Sequence, residues 1–393
     1  MREVLITDAT RSPFGRRRGS LAGIHAVDLL ARIQQAVLER TSLDPGAVDQ
    51  VITGCVGQIG MQAMNVGRTA WLVAGLPAHV PCTTVDAQCG SSQQALTMGH
   101  AAIAAGTAEV VLVCGVEVMS RVPIGATVPA DGALGKPITR AYWRQHEYTT
   151  QFEGAERVAE RWGITRAEAD AYGKLSQDRA AAARAAGRFA GQIVPAAAPV
   201  LDADGRPSGE TRTLTEDECI RETSLAALAG LTPTGRPDGV HTAGTSSQIS
   251  DGAAAVLLMS TEAADRHGIA PMASVAGTTL VGSDPVLMLT GPIPATQALL
   301  ERSGLAVSDL DVVEINEAFA SVVLAWEREY KVDMATVNPN GGAIALGHPL
   351  GATGCGLVVK AVHELRRVDG EHALVTMCCG GGLGTGTLLR RAG

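Results

Sequence analysis

Three short stretches of this 393-residue chain join a reactive side chain to backbone that other groups can approach closely. Cys89 lies in Thr84-Val85-Asp86-Ala87-Gln88-Cys89-Gly90-Ser91-Ser92-Gln93-Gln94-Ala95-Leu96, where a short turn leads into an Ala-rich helix. Near a helix N-terminus the dipole and the unpaired N–H groups favour a thiolate, the nucleophilic form of cysteine. A buried structural thiol is the other reading of the same motif. His348, in Asn340-Gly341-Gly342-Ala343-Ile344-Ala345-Leu346-Gly347-His348-Pro349-Leu350-Gly351, is enclosed by Gly and Pro on a tight loop. Imidazole titrates in a range suited to deprotonating a thiol, although a hydrogen-bonded turn histidine would look alike. Cys378 ends an apolar run and precedes Cys379-Gly380-Gly381-Gly382-Leu383-Gly384, whose consecutive N–H groups could converge on one developing oxyanion. Asn316-Glu317-Ala318-Phe319-Ala320 follows the apolar strand Val312–Ile315, a common place for site residues in α/β folds, and equally for a turn or cap.

Other chemistries find little support. The Gly380 tract misses G-x-G-x-x-G because Thr385 and Thr387 fall where glycine is needed, and no Walker A sequence occurs. Histidines are scattered without H-x-x-x-H or paired-Cys spacing, so no metal site is expected. No G-x-S-x-G elbow marks a serine hydrolase. The net charge of -8, without a basic tract, argues against nucleic acid. Met1-Arg2-Glu3-Val4-Leu5-Ile6 runs directly into a strand, no apolar stretch reaches the roughly 18 residues of a membrane span, and the eight cysteines form no CxxC pair. These features point to reduced thiols in the cytoplasm.

The elements that must position these residues repeat along the chain. Leu38-Glu39-Arg40-Thr41-Ser42-Leu43 through Asp49-Gln50-Val51 matches Leu300-Glu301-Arg302-Ser303-Gly304-Leu305 through Asp311-Val312-Val313 at an offset of 262. Val111-Leu112-Val113-Cys114-Gly115 matches Val375-Thr376-Met377-Cys378-Cys379 at 264. Two matches in one register argue for duplicated α/β halves. Strands are expected at 3–8, 50–54, 109–114, 312–315 and 373–377, apolar on both faces as in a buried parallel sheet. Between the halves an Arg-, Glu- and Ala-rich insertion carries helices over 152–162 and 166–187. Thr165 with Glu168 forms a capping box, and Asp202–Pro207 a turn. The divisions expected are 1–119 completed by 246–270, an inserted segment 120–245, and 271–393.

In combination these residues resemble the thiolase family over essentially the whole chain. The matching pieces are Asp86–Ser91, Gly115–Ser120, Asn316–Phe319, Gly341–Pro349 and Cys378–Gly382. The resemblance implies two duplicated α/β halves in a five-layer α-β-α-β-α fold, with a loop domain inserted in the first half. It implies that Cys89 is acylated, that His348 takes its proton, and that Cys378 moves a proton at the α-carbon of an acetyl unit. Asn316 would hold a water that forms one oxyanion hole with His348, and the N–H groups of Cys89 and Gly380 would form the other. The element His241-Thr242-Ala243-Gly244-Thr245-Ser246-Ser247-Gln248 also matches. It places Ser247 against a pantetheine arm and Arg221 near an adenine nucleotide, unless Arg221 is an ordinary surface charge. Coenzyme A thioesters would be the substrates, with no permanently bound cofactor, in a homodimer or homotetramer.

The implied activity is cleavage of a 3-ketoacyl-CoA by coenzyme A to acetyl-CoA and a shortened acyl-CoA. Biosynthetic short-chain thiolases carry His-Met-Gly where this chain has Thr150-Gln151-Phe152, which favours a larger acyl group. Residues 149–160, 241–257 and 314–323 look most like bacterial thiolases that shorten steroid side chains. Acetoacetyl-CoA synthesis and a non-catalytic lipid-binding role are the alternatives.

Overall fold

The computed structural model describes residues 2–128, 132 and 135–392. The chain opens with strands β1 (Val4–Arg11) and β2 (Gly15–Arg16), then α1 (Ala26–Thr41), β3 (Gln50–Gly54), α2 (Val66–Val73), β4 (Cys82–Val85), α3 (Ser91–Ala104) and β5 (Val110–Val118). Next come α4 (Arg140–Gln145), α5 (Gln151–Arg161), α6 (Arg166–Ala185), the hairpin β6 (Ala196–Leu201) and β7 (Pro207–Leu214), and α7 (Leu225–Ala229). β8 (Ser250–Ser260) and α8 (Thr261–His267) precede β9 (Ala273–Gly282), α9 (Pro292–Ser303), β10 (Val312–Ile315) and α10 (Ala320–Tyr330). The chain finishes with α11 (Ala343–Leu346), α12 (Leu350–Arg367), β11 (His372–Cys379) and β12 (Leu383–Arg391).

The strands run β10-β11-β12-β9-β1-β8-β5-β3-β4. Divided between β9 and β1, which pair only at Leu5–Ser274 and Ile6–Ala273, this is one order used twice. β4-β3-β5-β8-β1 corresponds to Val337-β10-β11-β12-β9, with Val337 bridging Val313 as β4 flanks β3. The expectation of parallel strands holds only for β3–β4, β3–β5 and β10–β11. β1 instead runs antiparallel to β8, and β11 antiparallel to β12. The sequence reading misses β8 because Ser250–Ser260 is buried at every position, so no alternation separates this Ala-rich run from a helix.

Helices α1 and α2 pack on the outer face of one half-sheet and α9 and α10 on that of the other, while α3 and α12 lie between. That is the five-layer arrangement. Small residues make the central layer possible, since a side chain at Gly354 of α12 would collide with the backbone of Gln93 in α3. α12 is buried along most of its length, as a helix enclosed between two sheets must be, and its polar residues Lys360 and Glu364 are buried with it. The insertion shows its expected capping box, with Thr165 and Glu168 reciprocally bonded at α6, and Thr150 caps α5. No helix among the described residues is long and apolar enough to cross a membrane.

Candidate active site

Cys89 sits in the turn between β4 and α3, one residue before the cap of that helix. The turn is held by short local bonds. Gln88 N–H donates to Asp86 Oδ1 at 2.6 Å, Ala87 N–H to Ser91 Oγ at 3.0 Å, and Ser91 Oγ to Gln88 O at 2.5 Å. Gln88 has φ +53°, a left-handed conformation that costs a non-glycine residue about 1–3 kcal/mol and tends to persist at functional sites. Gly90 must be glycine, because a Cβ there would lie 2.6 Å from Cys379 Sγ. The strained turn thereby seats Cys89 against the end of β11.

From the second half, Gly347 (φ +102°) turns the chain so that His348 enters the same cavity just before α12. The His348 N–H donates to Gln248 O and Ser250 Oγ, both at 3.1 Å. Its Nδ1 lies 2.7 Å from Thr353 Oγ1, which donates its own proton to Pro349 O at 2.9 Å. Nδ1 must then carry the hydrogen, leaving the Nε2 lone pair free. Asn316 Nδ2 lies 3.5 Å from Nε2, and Asn316 Oδ1 is buried with no partner among the described residues.

Cys89, His348, Cys378, Gly380 and Ser247 line one cavity of about 100 Å3, with Met119, Ile124, Phe152, Ile249, Leu289 and Phe319 around them. Strand alternation decides between the vicinal cysteines. Cys378 reaches the cavity, whereas Cys379 points into the central layer against Gly90. Asn316 joins the group through His348. Arg221 is not brought in: it is exposed on a neighbouring pocket with Thr223, Ala227, Leu231 and Gly244, its Nη2 3.5 Å from Ala243 O. Among the described residues no cluster of His, Cys, Asp or Glu is placed to hold a metal.

The electrostatics correct the expectation of a thiolate at rest. Burial raises the Cys89 thiol to about 11, against the N–H groups of Gly380 and Cys89 itself, which favour the anion. Burial lowers His348 to about 4. Burial, and then the neighbouring Cys89, hold Cys378 well above the ordinary thiol range. The resting pair is therefore a neutral thiol beside a neutral imidazole. Low dielectric outweighs the helix terminus here because His348 is buried and the half-buried Cys89 is largely surrounded by protein.

Sequence reasoning missed two supports. Thr353 sets the imidazole tautomer; its signal was a hydroxyl in the first turn after His348. Glu117, buried in β5, accepts from Val56 N, Gly57 N and Gly351 N at 3.0 Å and from Gln62 Nε2 at 2.6 Å. A carboxylate inside an otherwise apolar strand was the visible sign. Glu117 fastens the N-terminal turn of α12 to the first half. Glu317 does similar work in the second half, accepting from Tyr172, Ser176, Asn338 and the Ile344 N–H.

A thiol and a neutral imidazole on one cavity, a second, buried thiol and paired N–H groups are the groups that acyl transfer through cysteine requires. Comparison with known proteins agrees. The family described as thiolase, N-terminal domain, matches residues 4–262, and thiolase, C-terminal domain, matches 269–391. The chain is 48% identical to the steroid 3-ketoacyl-CoA thiolase FadA6 of Mycobacterium tuberculosis, spanning 100% of this chain and 95% of that protein. It is 43% identical to a β-ketoadipyl-CoA thiolase of Pseudomonas knackmussii over 99% of each. The human mitochondrial 3-ketoacyl-CoA thiolase superposes with a TM-score of 0.88 at 36% identity, over 100% of this chain and 99% of that one. The chain belongs to the thiolase family of acyltransferases.

Proposed function

We propose that this chain cleaves 3-ketoacyl-CoA thioesters, and that Cys89, His348, Cys378, Asn316 and Gly380 carry the reaction. The observation that supports this most is the convergence of two thiols and one imidazole, from both halves, on a single cavity. Cys89 gives its proton to His348 Nε2 as its sulfur bonds the 3-keto carbon. The bond between the α- and β-carbons then breaks, and the electron pair stays on the α-carbon as the enolate of acetyl-CoA. Cys378 protonates that carbon. Coenzyme A next gives its thiol proton to the Cys378 thiolate and its sulfur attacks the acyl group. Cys89 leaves and recovers the proton held by His348. The N–H groups of Cys89 and Gly380 stabilise one oxyanion, and His348 with an Asn316-held water the other.

Ser247 borders the cavity where a pantetheine arm would lie, and the pocket beside Arg221 would receive the adenine nucleotide. In this reading residues 120–245 form the cover over coenzyme A, between a first half of 1–119 with 246–270 and a second of 271–393. The substrate class is an acyl group larger than acetoacetyl. Thr150-Gln151-Phe152 and the relatives named for steroid and β-ketoadipyl substrates support it. We expect a cytoplasmic homodimer or homotetramer without a resident cofactor. One observation favours the acetoacetyl reading instead: a cavity of about 100 Å3 holds only a few heavy atoms. A bulkier acyl group requires the part-exposed Phe152, Ile124 or Ile249 to turn aside.

Thiolysis of 3-ketoacyl-CoAs from acetoacetyl to steroid side-chain forms, with intact-mass analysis of the protein, tests this. An acyl adduct on Cys89, absent from Cys89→Ala, is expected. An adduct elsewhere overturns the assignment, and activity confined to acetoacetyl-CoA overturns the substrate class.

A further inference from the structure

We infer that Lys360 is a positioning residue for the reaction, holding His348 and Asn316 in register through the carbonyl of Gly341 and the carboxylate of Glu314. The inference rests on the reading of His348 as the base. Thr353, Lys360 and Glu364 are spaced seven and then four residues apart on α12, so at about 100° per residue they form one narrow stripe. Each grips the Asn340–His348 loop. Thr353 meets the His348 ring, Lys360 Nζ donates to Gly341 O at 2.5 Å, and Glu364 Oε2 accepts from Asn340 Nδ2 at 2.8 Å. Gly341 cannot readily give way. Its φ is +73°, and a Cβ there would lie 2.6 Å from Ser176 O.

Lys360 also bonds Glu314 Oε2 at 2.7 Å. Glu314 and Asn316 project from the same face of the strand end, two residues apart. One ammonium thus ties the strand that presents Asn316 to the loop that presents His348, and those side chains meet at 3.5 Å. Both partners are buried, Lys360 at 4% and Glu314 at 0% exposure, and Glu314 Oε1 has no partner among the described residues. A buried ion pair seldom stabilises a fold better than apolar residues of similar size would. Stability alone therefore explains this pair poorly, while geometric control of the loop explains which atoms it touches.

Three variants separate positioning from stability: Lys360→Met, Glu314→Gln, and both together. Acyl-enzyme formation is followed by rapid quenching and intact mass, using the 3-ketoacyl-CoA that the wild-type chain cleaves best. KM for coenzyme A and thermal unfolding are measured alongside. Lys360→Met should slow acylation roughly 100-fold, the cost of a displacement near 1 Å, with KM for coenzyme A little changed. Glu314→Gln, which keeps the bond to Gly341, should stay near the wild-type rate. The double variant removes the unpaired buried charge, so it should regain melting temperature yet remain slow. Recovery of the wild-type rate in the double variant overturns the inference, because the pair would then matter only for folding. Should both methionine variants fail to fold, Lys360→Ala combined with Glu314→Ala decides: this pair removes both bonds and the buried charge, and a folded variant with unaltered acylation also overturns the inference. Failure of the underlying reading shows separately, as a wild-type chain that forms no adduct.

Discussion

The two halves share a strand order but end their strands differently, and the active site lies in that difference. β3 closes on Gly54, where a side chain would collide with the backbone of Ser92, so this strand end packs directly against α3. Its counterpart β10 leads to Asn316, whose amide reaches the imidazole. β5 ends near Glu117, a carboxylate occupied by backbone N–H groups, whereas the end of β11 brings Cys378 and the following Gly380 to the cavity. The central helices divide the labour as well. The N-terminus of α3 follows Cys89, the proposed nucleophile, and that of α12 follows His348, the proposed base. Duplication supplied two inward-facing strand-to-helix turns. The first half carries Gly54 where the second leads to Asn316.

That contrast predicts which losses are severe. The largest belongs to the nucleophile on the first half: Cys89→Ala should lower thiolysis by at least roughly 10^4-fold, as for other covalent nucleophiles, in steady-state assays. On the second half, Cys378→Ala should cost about 10^3-fold, within the range of positioned acid–base groups. It should also abolish deuterium exchange from D2O into the methyl group of acetyl-CoA. Cys379→Ala should leave both near wild type, because this side chain faces the central layer. Equal losses at 378 and 379 would erase the distinction between the two faces of β11.

How far the sequence could carry this comparison depends on whether a feature is local. The turn glycines, the capping box at Thr165 and Glu168, and the paired offset of the halves are local signals, and the structure shows each in place. Strand direction is not local. β1 was expected in a parallel sheet, but its partners β8 and β9 lie far along the chain and run against it. Protonation is not local either. A helix N-terminus suggests a thiolate at Cys89, yet enclosure by both halves reverses the balance. The hydroxyl that fixes the imidazole stands in the first turn after His348, but only the folded loop shows which group it holds.

The imidazole gives a sharper test of enclosure. Because burial lowers His348 to about 4, its basic form persists well below the usual imidazole range. The acid limb of kcat/KM should therefore fall below pH 6.5. The same shift sets a stability slope. The unfolded chain protonates this ring near 6.5 and the folded chain only near 4, so acidification through that window favours unfolding, and above it the contribution is constant. Thr353→Val should reduce acylation about 10-fold, the equivalent of one net hydrogen bond. An acid limb at 6.5 in the wild type would show that the ring is far better solvated than its surroundings indicate.

The smallest effect concerns the wall between the inserted segment and the second half. Phe152 of α5 lies edge-on to Phe319, ring centres 5.6 Å apart, and Phe319 packs at 5.2 Å on His241. His241 is held by Ser321 at 2.8 Å, so the far end of this aromatic row is fixed. Phe152 is 38% exposed and has room to turn. It is the part of the wall that can yield to a larger acyl group. Phe152→Ala should raise kcat/KM for long or branched 3-ketoacyl-CoAs relative to acetoacetyl-CoA by about 10-fold, the discrimination typical of small volume changes in an apolar pocket. Competition between the two substrates in one vessel measures the ratio directly. An unchanged ratio, with both rates intact, would move the limit on acyl size to Ile124 of the inserted segment and Ile249 of the first half.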